Sequence, residues 1–485
     1  MVSLLMPPQR KEGPRQPDYL RIYHFYREQI LLGTLPENAK LPSIRALAHH
    51  MGISRNPVET AYAHLVAEGY IVNKPKRGYF AGFVAQLAEK QAHTLPRPLQ
   101  TADLKNFSPP DRKSGDNRSI DFAYDRILPE HFPLNLWKKL TQKTLREAGQ
   151  SLFNYGDPKG ELPLRRLIQS YVRQNRGVVC EPEQIILTSG TQQAVLIISL
   201  LLRSDRRPLG IEAAMHPGIH RIFVQQQLNP IPIPLEKDGI RCDRLHQQAL
   251  CGVYVTPSHQ FPYGCILPIH KRMQLLDWAD DSNGWIIEDD YDSDYIYEGQ
   301  PLPALQGMDR TGRVIYLGTF SKALAPALRL SFLILPPDLL SRFDREFSNY
   351  DQTASRLTQA TLERFMEEGH LVRHIRKMRT TYNTNRKTLI AAVDTCFQGQ
   401  ATVSGATSGL HLLLDIQSAI SIREYMERLK QDGIGISTVS EFHVPIEGEE
   451  RSPFLFGPFV MGYGGLTLEQ IREGICKLAA IHEKC

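Results

Sequence analysis

Short apolar runs beyond residue 120 restrict the fold more than any other feature of this chain. They alternate with segments long enough to form amphipathic helices, and examples are Gln184–Leu187, Gly252–Val255, Trp285–Ile287 and Arg313–Leu317. Strands buried on both faces of a parallel sheet have this continuous, β-branched composition, and crossover helices explain the spacing. We therefore predict a large α/β domain with a mainly parallel sheet over residues 120–485.

The N-terminal region has a different pattern, which predicts a small α+β domain over residues 15–83. One helix is expected from Tyr19 to Leu32, a second from Ser43 to Met51 and a third from Ser54 to Glu68, with both serines as N-caps. Two short strands, 70–72 and 79–81, surround a basic turn. Helix, short turn, helix and basic hairpin in this order indicate a winged helix-turn-helix.

A linker is expected between the two domains, over residues 84–119. Pro, Ser, Asp and Lys are frequent in this stretch, and no helical or strand period continues through it. The chain is therefore predicted to be multidomain.

The net charge of +5 is confined to the N-terminal region. Residues 1–83 hold 11 Lys and Arg against 6 Asp and Glu, so the remaining residues are balanced. A basic small domain beside a neutral large one favours a polyanionic partner such as DNA.

Composition also argues against several other classes of protein. The longest apolar run is about nine residues from Ala194 to Leu202, with Ser199 inside it, far below the ~20 that a membrane helix needs. No secretory signal is visible at the N-terminus. Seven cysteines without a CxxC pair argue against a disulfide framework and a metal site. A cytoplasmic location without membrane contact is expected.

The predicted helix-turn-helix suggests which side chains contact DNA. The first residues of its second helix enter the major groove, where Arg55 and Asn56 have the chemistry to bind base edges or phosphates. The candidate DNA-contacting residues are Ser43, Arg45, Ser54, Arg55, Asn56, Lys76 and Arg77. An exposed basic helix without a ligand would have the same composition.

A second candidate site begins at the lysine that follows the apolar run 313–317. Lys322 lies beside the hydroxyls of Thr319 and Ser321, and Arg329 follows. Partial burial lowers the pKa of an amine and prepares it to form a Schiff base. The hydroxyls and the guanidinium suit a phosphate.

Two further segments have complementary chemistry. Asp289 and Tyr291 follow the run 285–287, at the strand end where α/β sheets place ligands. Gly190 and Thr191 lie in a tight turn before a helix, which is a common anion site. Taken singly, a solvated acidic loop and a structural turn explain these two segments equally well.

Both halves resemble known families. The run LLGTLPENAKLPSIRALAHHMGISRNPVETAYAHLVAEGYIVNKPKRGYF is similar to the GntR-family winged helix-turn-helix, with Asn38, Pro57 and Lys76 as departures. Asn38 and Lys76 replace glycines, and Pro57 replaces a threonine whose hydroxyl would reach a phosphate.

The large half resembles fold-type I pyridoxal-phosphate enzymes of the aspartate aminotransferase class. The resemblance implies pyridoxal 5'-phosphate as cofactor, bound to Lys322 as the internal aldimine, with Asp289 at the pyridine nitrogen and Tyr291 near the ring hydroxyl. The residues it places around the phosphate are Gly190, Thr191, Thr319, Ser321 and Arg329, with Tyr155 reaching the phosphate of a neighbouring subunit.

The order of the two halves resembles the MocR/GabR subfamily of GntR-type regulators. That resemblance implies a homodimeric, head-to-tail transcriptional regulator that binds a double-stranded DNA operator and senses a small-molecule effector through pyridoxal phosphate. An active aminotransferase with an appended DNA-binding domain is the alternative. Ile219 and Tyr263 weaken it, because enzymes of the family have an aromatic and a threonine there.

Two residues on the expected effector side suggest what the effector is not. GABA-responsive members hold the ligand carboxylate with an arginine in a Ser-Arg-Phe segment, where this chain has Glu441. Arg221 matches a second ligand-side arginine of those members. We expect the effector to be pyridoxal phosphate itself or an amine with a cationic tail, unless Glu441 is simply a surface residue.

Overall fold

The computed structural model describes residues 6–7, 17–82, 120–300, 302–416, 422–446 and 458–483. The chain divides into two compact units at residues 115 and 116. The predicted linker, 84–119, lies outside the described residues.

The N-terminal unit is a winged helix-turn-helix, as predicted. Its elements are α1 (Asp18–Leu31), α2 (Ile44–Met51), α3 (Arg55–Ala67), β1 (Ile71–Lys74) and β2 (Gly78–Ala81). Ser43 caps α2 by accepting a hydrogen bond from the Ala46 amide at 3.2 Å. Ser54 occupies the N-cap position of α3 without a capping side-chain bond. Tyr26 and Tyr62 pack edge to face in the core between α1 and α3.

Two turns of this unit need left-handed backbone at residues that have a side chain. Asn38 and Lys76 both have φ of +62°, and these are the positions where the resemblance expects glycine. Asparagine tolerates this conformation better than lysine does, so backbone strain is concentrated in the wing turn at Lys76.

The C-terminal unit contains the remaining helices and strands of the described residues. The helices are α4 (Leu134–Ala148), α5 (Leu162–Arg176), α6 (Thr191–Leu202), α7 (Pro217–Gln225), α8 (Ile269–Ser282), α9 (Leu305–Met308), α10 (Pro337–Glu346), α11 (Arg356–Glu367), α12 (His370–Phe397), α13 (Ile422–Gln431) and α14 (Leu468–Glu483). The strands are β3 (Ile120–Asp121), β4 (Ile185–Thr188), β5 (Leu209–Glu212), β6 (Ile231–Ile233), β7 (Leu235–Glu236), β8 (Gly239–Ile240), β9 (Gly252–Val255), β10 (Trp285–Asp289), β11 (Val314–Thr319), β12 (Ser331–Ile334), β13 (Ala401–Ser404), β14 (His411–Ile416), β15 (Ile434–Gly435), β16 (Ser437–Thr438) and β17 (Phe459–Gly462).

A seven-stranded sheet forms the centre of this unit, in the order β4-β12-β11-β10-β9-β5-β6. The pairs among β11, β10, β9, β5 and β6 are parallel, whereas β12 is antiparallel to both of its neighbours. Helices α6, α7 and α10 cover one face, and α5, α8 and α11 contribute to the cores on the other. The carboxyl ends of β4, β11, β10 and β9 therefore meet at one edge, next to the beginning of β12.

A smaller layer follows, in which β13, β14, β17 and β16 form an antiparallel sheet. It shares a core with α12, α13 and α14. A disulfide between Cys396 and Cys476 links α12 to α14, which the cysteine pattern did not predict, because their pairing depends on how the two helices pack. Among the described residues, no helix is long and apolar enough to cross a membrane.

Candidate functional site

Three consecutive carboxylates at the end of β10 divide between the two faces of the sheet. Side chains alternate along a strand, so Glu288 and Asp290 share one face and Asp289 takes the other. Glu288 accepts hydrogen bonds from the Leu305 and Gln306 amides at 2.8 and 2.9 Å. Asp290 pairs with buried Arg176 at 2.7 Å. The carboxylates of Glu288 and Asp290 are therefore both occupied by contacts within the protein.

Asp289 lies on the opposite face of the sheet, in a different environment from Glu288 and Asp290. Its Oδ2 accepts a hydrogen bond from the Tyr254 hydroxyl at 2.5 Å, and the side chain is buried. Burial raises the pKa of Asp289 to about 7, partly offset by the bond from Tyr254. A buried carboxyl of this kind is stabilised as an anion when a cationic group binds beside it.

Lys322 follows β11 by three residues and lies at the same edge. Its Nζ donates a hydrogen bond to the Tyr124 carbonyl oxygen at 2.9 Å and lies 5.7 Å from the centre of the Tyr124 ring. Burial lowers the pKa of Lys322, while Asp125 and Asp292 act in the opposite direction. A lowered pKa makes the neutral, nucleophilic amine more accessible.

A candidate anion cradle lies where α6 begins. Gly190 is the N-cap residue of α6, with φ of +107°, and Thr191 is the first helical residue. A Cβ on Gly190 would come within 2.6 Å of Arg329 Cζ, so glycine is required for the guanidinium to lie here. Arg329 also donates to the Ser189 carbonyl oxygen at 3.1 Å. The free amides of the first helical turn and this cation favour a phosphate.

Hydroxyl groups complete the cradle from β11 and β12. Thr319 donates to Ser321 Oγ at 3.1 Å, and Ser331 donates to Thr319 Oγ1 at 2.7 Å. Thr319 and Ser321 are half-buried. The structure thus brings the segments around residues 190, 289, 322 and 329 to one edge of the sheet.

Tyr291 lies in a hydrogen-bond network that sequence reasoning missed. Its hydroxyl donates to the His259 carbonyl oxygen at 2.9 Å and lies 3.1 Å from His259 Nδ1. His259 Nδ1 also lies 2.9 Å from Asp292 Oδ2. Burial is the main cause that raises the pKa of Tyr291 well above its usual value. The sequence assigned His259 no role and no partner.

His259, Asp292 and His411 also offer one metal-ligand atom each within 4.8 Å of one another, although no metal site was expected. His259 Nδ1 is already bonded to Asp292, and His411 Nε2 lies 3.0 Å from the Pro262 carbonyl oxygen. We therefore interpret His259 and Asp292 as a hydrogen-bonded pair, with the His411 ring packed against His259 at 4.6 Å between ring centres.

Three further candidate residues are exposed. Tyr155 is 87% exposed on a loop, and Arg221 is exposed on α7. Glu441 is exposed as well, and its Oε1 accepts a hydrogen bond from the Thr438 amide at 2.8 Å, which caps a short helix over 439–442. This structural role supports the surface interpretation of Glu441 that the sequence left open.

The candidate DNA-contacting side chains all lie on the surface of the N-terminal unit. Arg55 and Asn56 are the first two residues of α3 and are exposed. The other exposed members are Ser43, Arg45, Ser54, Lys76 and Arg77. Lys74, the last residue of β1, does not belong to this set. Its Nζ donates to Asn38 Oδ1 at 3.0 Å and lies over the Phe80 ring.

Solved aminotransferases share the fold of the C-terminal unit. The multiple substrate aminotransferase (MsAT) from Thermococcus profundus is 25% identical with a TM-score of 0.67, and the match covers 81% of this chain and 97% of that one. The fold and its site define an aminotransferase-type domain of fold-type I, joined here to a winged helix-turn-helix.

Sequence comparisons lead to the family. The aminotransferase class I and II family matches residues 126–452, and the gntR family of bacterial regulatory proteins matches residues 18–80. The uncharacterized HTH-type transcriptional regulator YdeL of Bacillus subtilis is 37% identical over 96% of both chains. The probable rhizopine catabolism regulatory protein MocR of Rhizobium meliloti is 31% identical over 95% of this chain and 93% of its own. The chain belongs to the MocR-type family of GntR transcriptional regulators.

Proposed function

We propose that this regulator binds pyridoxal 5'-phosphate at Lys322 and that an effector reaching this site changes how α3 binds an operator. The observation that carries the proposal is the meeting of a half-buried lysine, a buried carboxyl and a phosphate cradle at one sheet edge. When bound, pyridoxal phosphate supplies an electrophilic carbon that reacts reversibly with amines.

The residues present fit this group. Burial lowers the pKa of Lys322, which makes the neutral amine that forms a Schiff base more accessible. Asp289 provides an anion for a protonated pyridine nitrogen, which offsets the cost of burying its charge. Gly190 leaves room for Arg329, and the amides of α6 and the hydroxyls of Thr319 and Ser321 bind the phosphate.

A visible spectrum with and without borohydride tests the cofactor proposal. The purified protein with added pyridoxal phosphate is expected to show an absorption band that borohydride removes, leaving a pyridoxyl group on Lys322 detectable by peptide mass spectrometry. A chromophore on another lysine, or none, contradicts the proposal.

Regulation is favoured over catalysis by two positions near the cofactor region. Ile219 is buried in the apolar core beside α6 and offers no aromatic ring. Tyr263 replaces the threonine of the enzyme pattern and is half-buried. A steady-state assay with L-glutamate, L-alanine or GABA as amino donor and 2-oxoglutarate or pyruvate as acceptor separates the two functions. Sustained turnover would favour the aminotransferase.

The surroundings of Lys322 favour an effector with a cationic or aromatic remainder. Tyr124, Phe261 and Phe442 have ring centres 4.7 to 5.5 Å apart, and the carboxylates of Asp125 and Asp292 act on the lysine. Aromatic faces and carboxylates attract cations and disfavour a second anion.

Titration of the cofactor-loaded protein compares GABA with 1,4-diaminobutane. The diamine is expected to shift the absorption band and alter operator binding at lower concentration. A saturable response to GABA in the micromolar to low millimolar range would contradict this effector class. A response to pyridoxal phosphate alone would identify the cofactor as the signal.

We also propose a cytoplasmic, head-to-tail homodimer in which Tyr155 reaches the phosphate of the second subunit. Phe153 and Tyr155 are 77% and 87% exposed on one loop, which suits burial against another chain. Analytical ultracentrifugation tests the assembly, and Tyr155→Phe should weaken cofactor binding in the dimer. Monomers at micromolar concentration would contradict it.

A further inference from the structure

His259 and Asp292 form a buried, hydrogen-bonded pair. Contact with the cofactor alone does not explain why these two side chains are buried together. Their side chains are 1% and 2% exposed, and His259 Nδ1 lies 2.9 Å from Asp292 Oδ2. Gly409 closes the other side, because a Cβ there would overlap both side chains. A buried carboxylate without a donor would be strongly unfavourable, so Nδ1 is assigned as the protonated nitrogen.

With Nδ1 protonated, the Tyr291 hydroxyl is held at two points. It donates to the His259 carbonyl oxygen, and its oxygen lies within reach of the Nδ1 proton that is shared with Asp292. Rotation of the hydroxyl would break both contacts. Asp292 thus orients the His259 ring, and the ring and its own carbonyl fix Tyr291.

We propose that Asp292 and His259 are positioning residues that fix the Tyr291 hydroxyl for the ring hydroxyl of pyridoxal phosphate. The inference rests on the proposed cofactor site. It adds that most of the effect of Asp292 on the cofactor passes through His259 and Tyr291, beyond the direct effect of its charge.

Other charged and titratable groups near this network could also respond to pH. Lys322 and Asp289 both respond to the charge of Asp292, and the other groups around the network are Asp125, Glu212, His411, Tyr124, Tyr295, Tyr297 and Tyr463. A double-mutant cycle separates the path through Tyr291 from these direct effects, because independent contributions add and coupled ones do not.

The experiment compares the pH midpoint of the cofactor absorption band in the full-length wild type, Asp292→Asn, Tyr291→Phe and the double variant. Asparagine keeps the shape and an acceptor for His259 while removing the charge. Asp292→Asn is expected to shift the midpoint by at least half a pH unit, and the double variant to differ from Tyr291→Phe by only a small fraction of that shift. Asp125→Asn is the matched control, since this exposed carboxylate also acts on Lys322 and its effect should vanish in 1 M salt.

The possible results separate the positioning role of Asp292 from the cofactor proposal. An unchanged midpoint in Asp292→Asn overturns the inference, as does a shift that adds fully to that of Tyr291→Phe, because the carboxylate then acts directly as a charge. A wild type without a band overturns the cofactor proposal itself, whereas a wild-type band with no coupling overturns only the positioning role.

Discussion

Gly190 and Arg329 lie so close that only glycine leaves space for the guanidinium, because a Cβ at residue 190 would lie 2.6 Å from Arg329 Cζ. The two residues are far apart in the sequence and come from the beginning of α6 and the loop before β12. Their proximity makes the proposed phosphate cradle sensitive to a single methyl group.

Gly190→Ala is therefore expected to weaken pyridoxal phosphate binding at least tenfold, as measured by absorbance titration. The added methyl displaces Arg329, and the backbone at φ of +107° and ψ of 165°, a conformation that essentially only glycine adopts, adds strain of about 1–3 kcal/mol. Gly312→Ala is the matched control, because Gly312 also has positive φ, of +74°, but no atom within 4 Å of the added Cβ. Cofactor affinity in Gly190→Ala equal to that of Gly312→Ala would contradict the proposed cradle.

Lys322→Ala is expected to abolish the borohydride-reducible band while leaving the fold and basal DNA binding intact. The amine at this position is the proposed covalent attachment point. Lys271 is a useful control, since it is buried but its Nζ pairs with Glu236 and Asp238. Lys271→Ala should lower the thermal midpoint and retain the band. A reducible band in Lys322→Ala would contradict the assignment.

Asp289→Asn is expected to stabilise the cofactor-free protein above pH 7 and to weaken cofactor binding at least tenfold. The folded-state pKa of Asp289 is about 7, above the unfolded value. Its stabilising effect is thus complete below about pH 4 and disappears as the pH rises to 7. Asparagine avoids this loss, so the variant gains about 1–3 kcal/mol relative to wild type by pH 8.

Thermal unfolding at pH 4 and pH 8 measures this gain. Glu212 and Glu288 also have pKa values raised to about 7 by burial, but they are present in both proteins and their contributions cancel in the comparison. A constant difference between variant and wild type across this range would contradict the expected pKa of Asp289.

Lys76→Gly is expected to change stability and DNA affinity in opposite directions. Relief of the left-handed backbone at φ of +62° exceeds the entropic cost of glycine, with a net gain of about 0.5–1 kcal/mol. Loss of the charge weakens DNA binding and reduces its salt dependence. Arg77→Gly removes a charge from the same turn without relieving left-handed strain, so it should lower both quantities. Calorimetry and fluorescence anisotropy provide the two measurements.

Arg55→Ala is expected to weaken binding to a selected operator more than binding to random DNA, by about 1–3 kcal/mol at the specific site. Its exposed position at the beginning of α3 allows contact with base edges. Arg21→Ala is the control, because Arg21 lies on α1 and pairs with Asp18 at 3.2 Å. Equal weakening on both DNAs would make Arg55 a phosphate contact.

Local sequence patterns predicted much of the fold. The apolar runs indicated the strands β4, β9, β10 and β11, and the serine before α2 indicated its N-cap. Such features depend on neighbours within a few residues, so composition and spacing reveal them. The antiparallel direction of β12 was not visible, because it depends on how the chain returns to the sheet.

The sequence by itself determined the two domain types and, through strand ends, helix starts and family resemblance, indicated which residues form the candidate cofactor site, because these features are local. Only the tertiary structure decided which carboxylate of the run 288–290 faces Tyr254, and that His259 and Asp292 hold Tyr291. These relations join strands and loops that are distant in the chain. Their geometry depends on sheet register and packing, which no local pattern specifies.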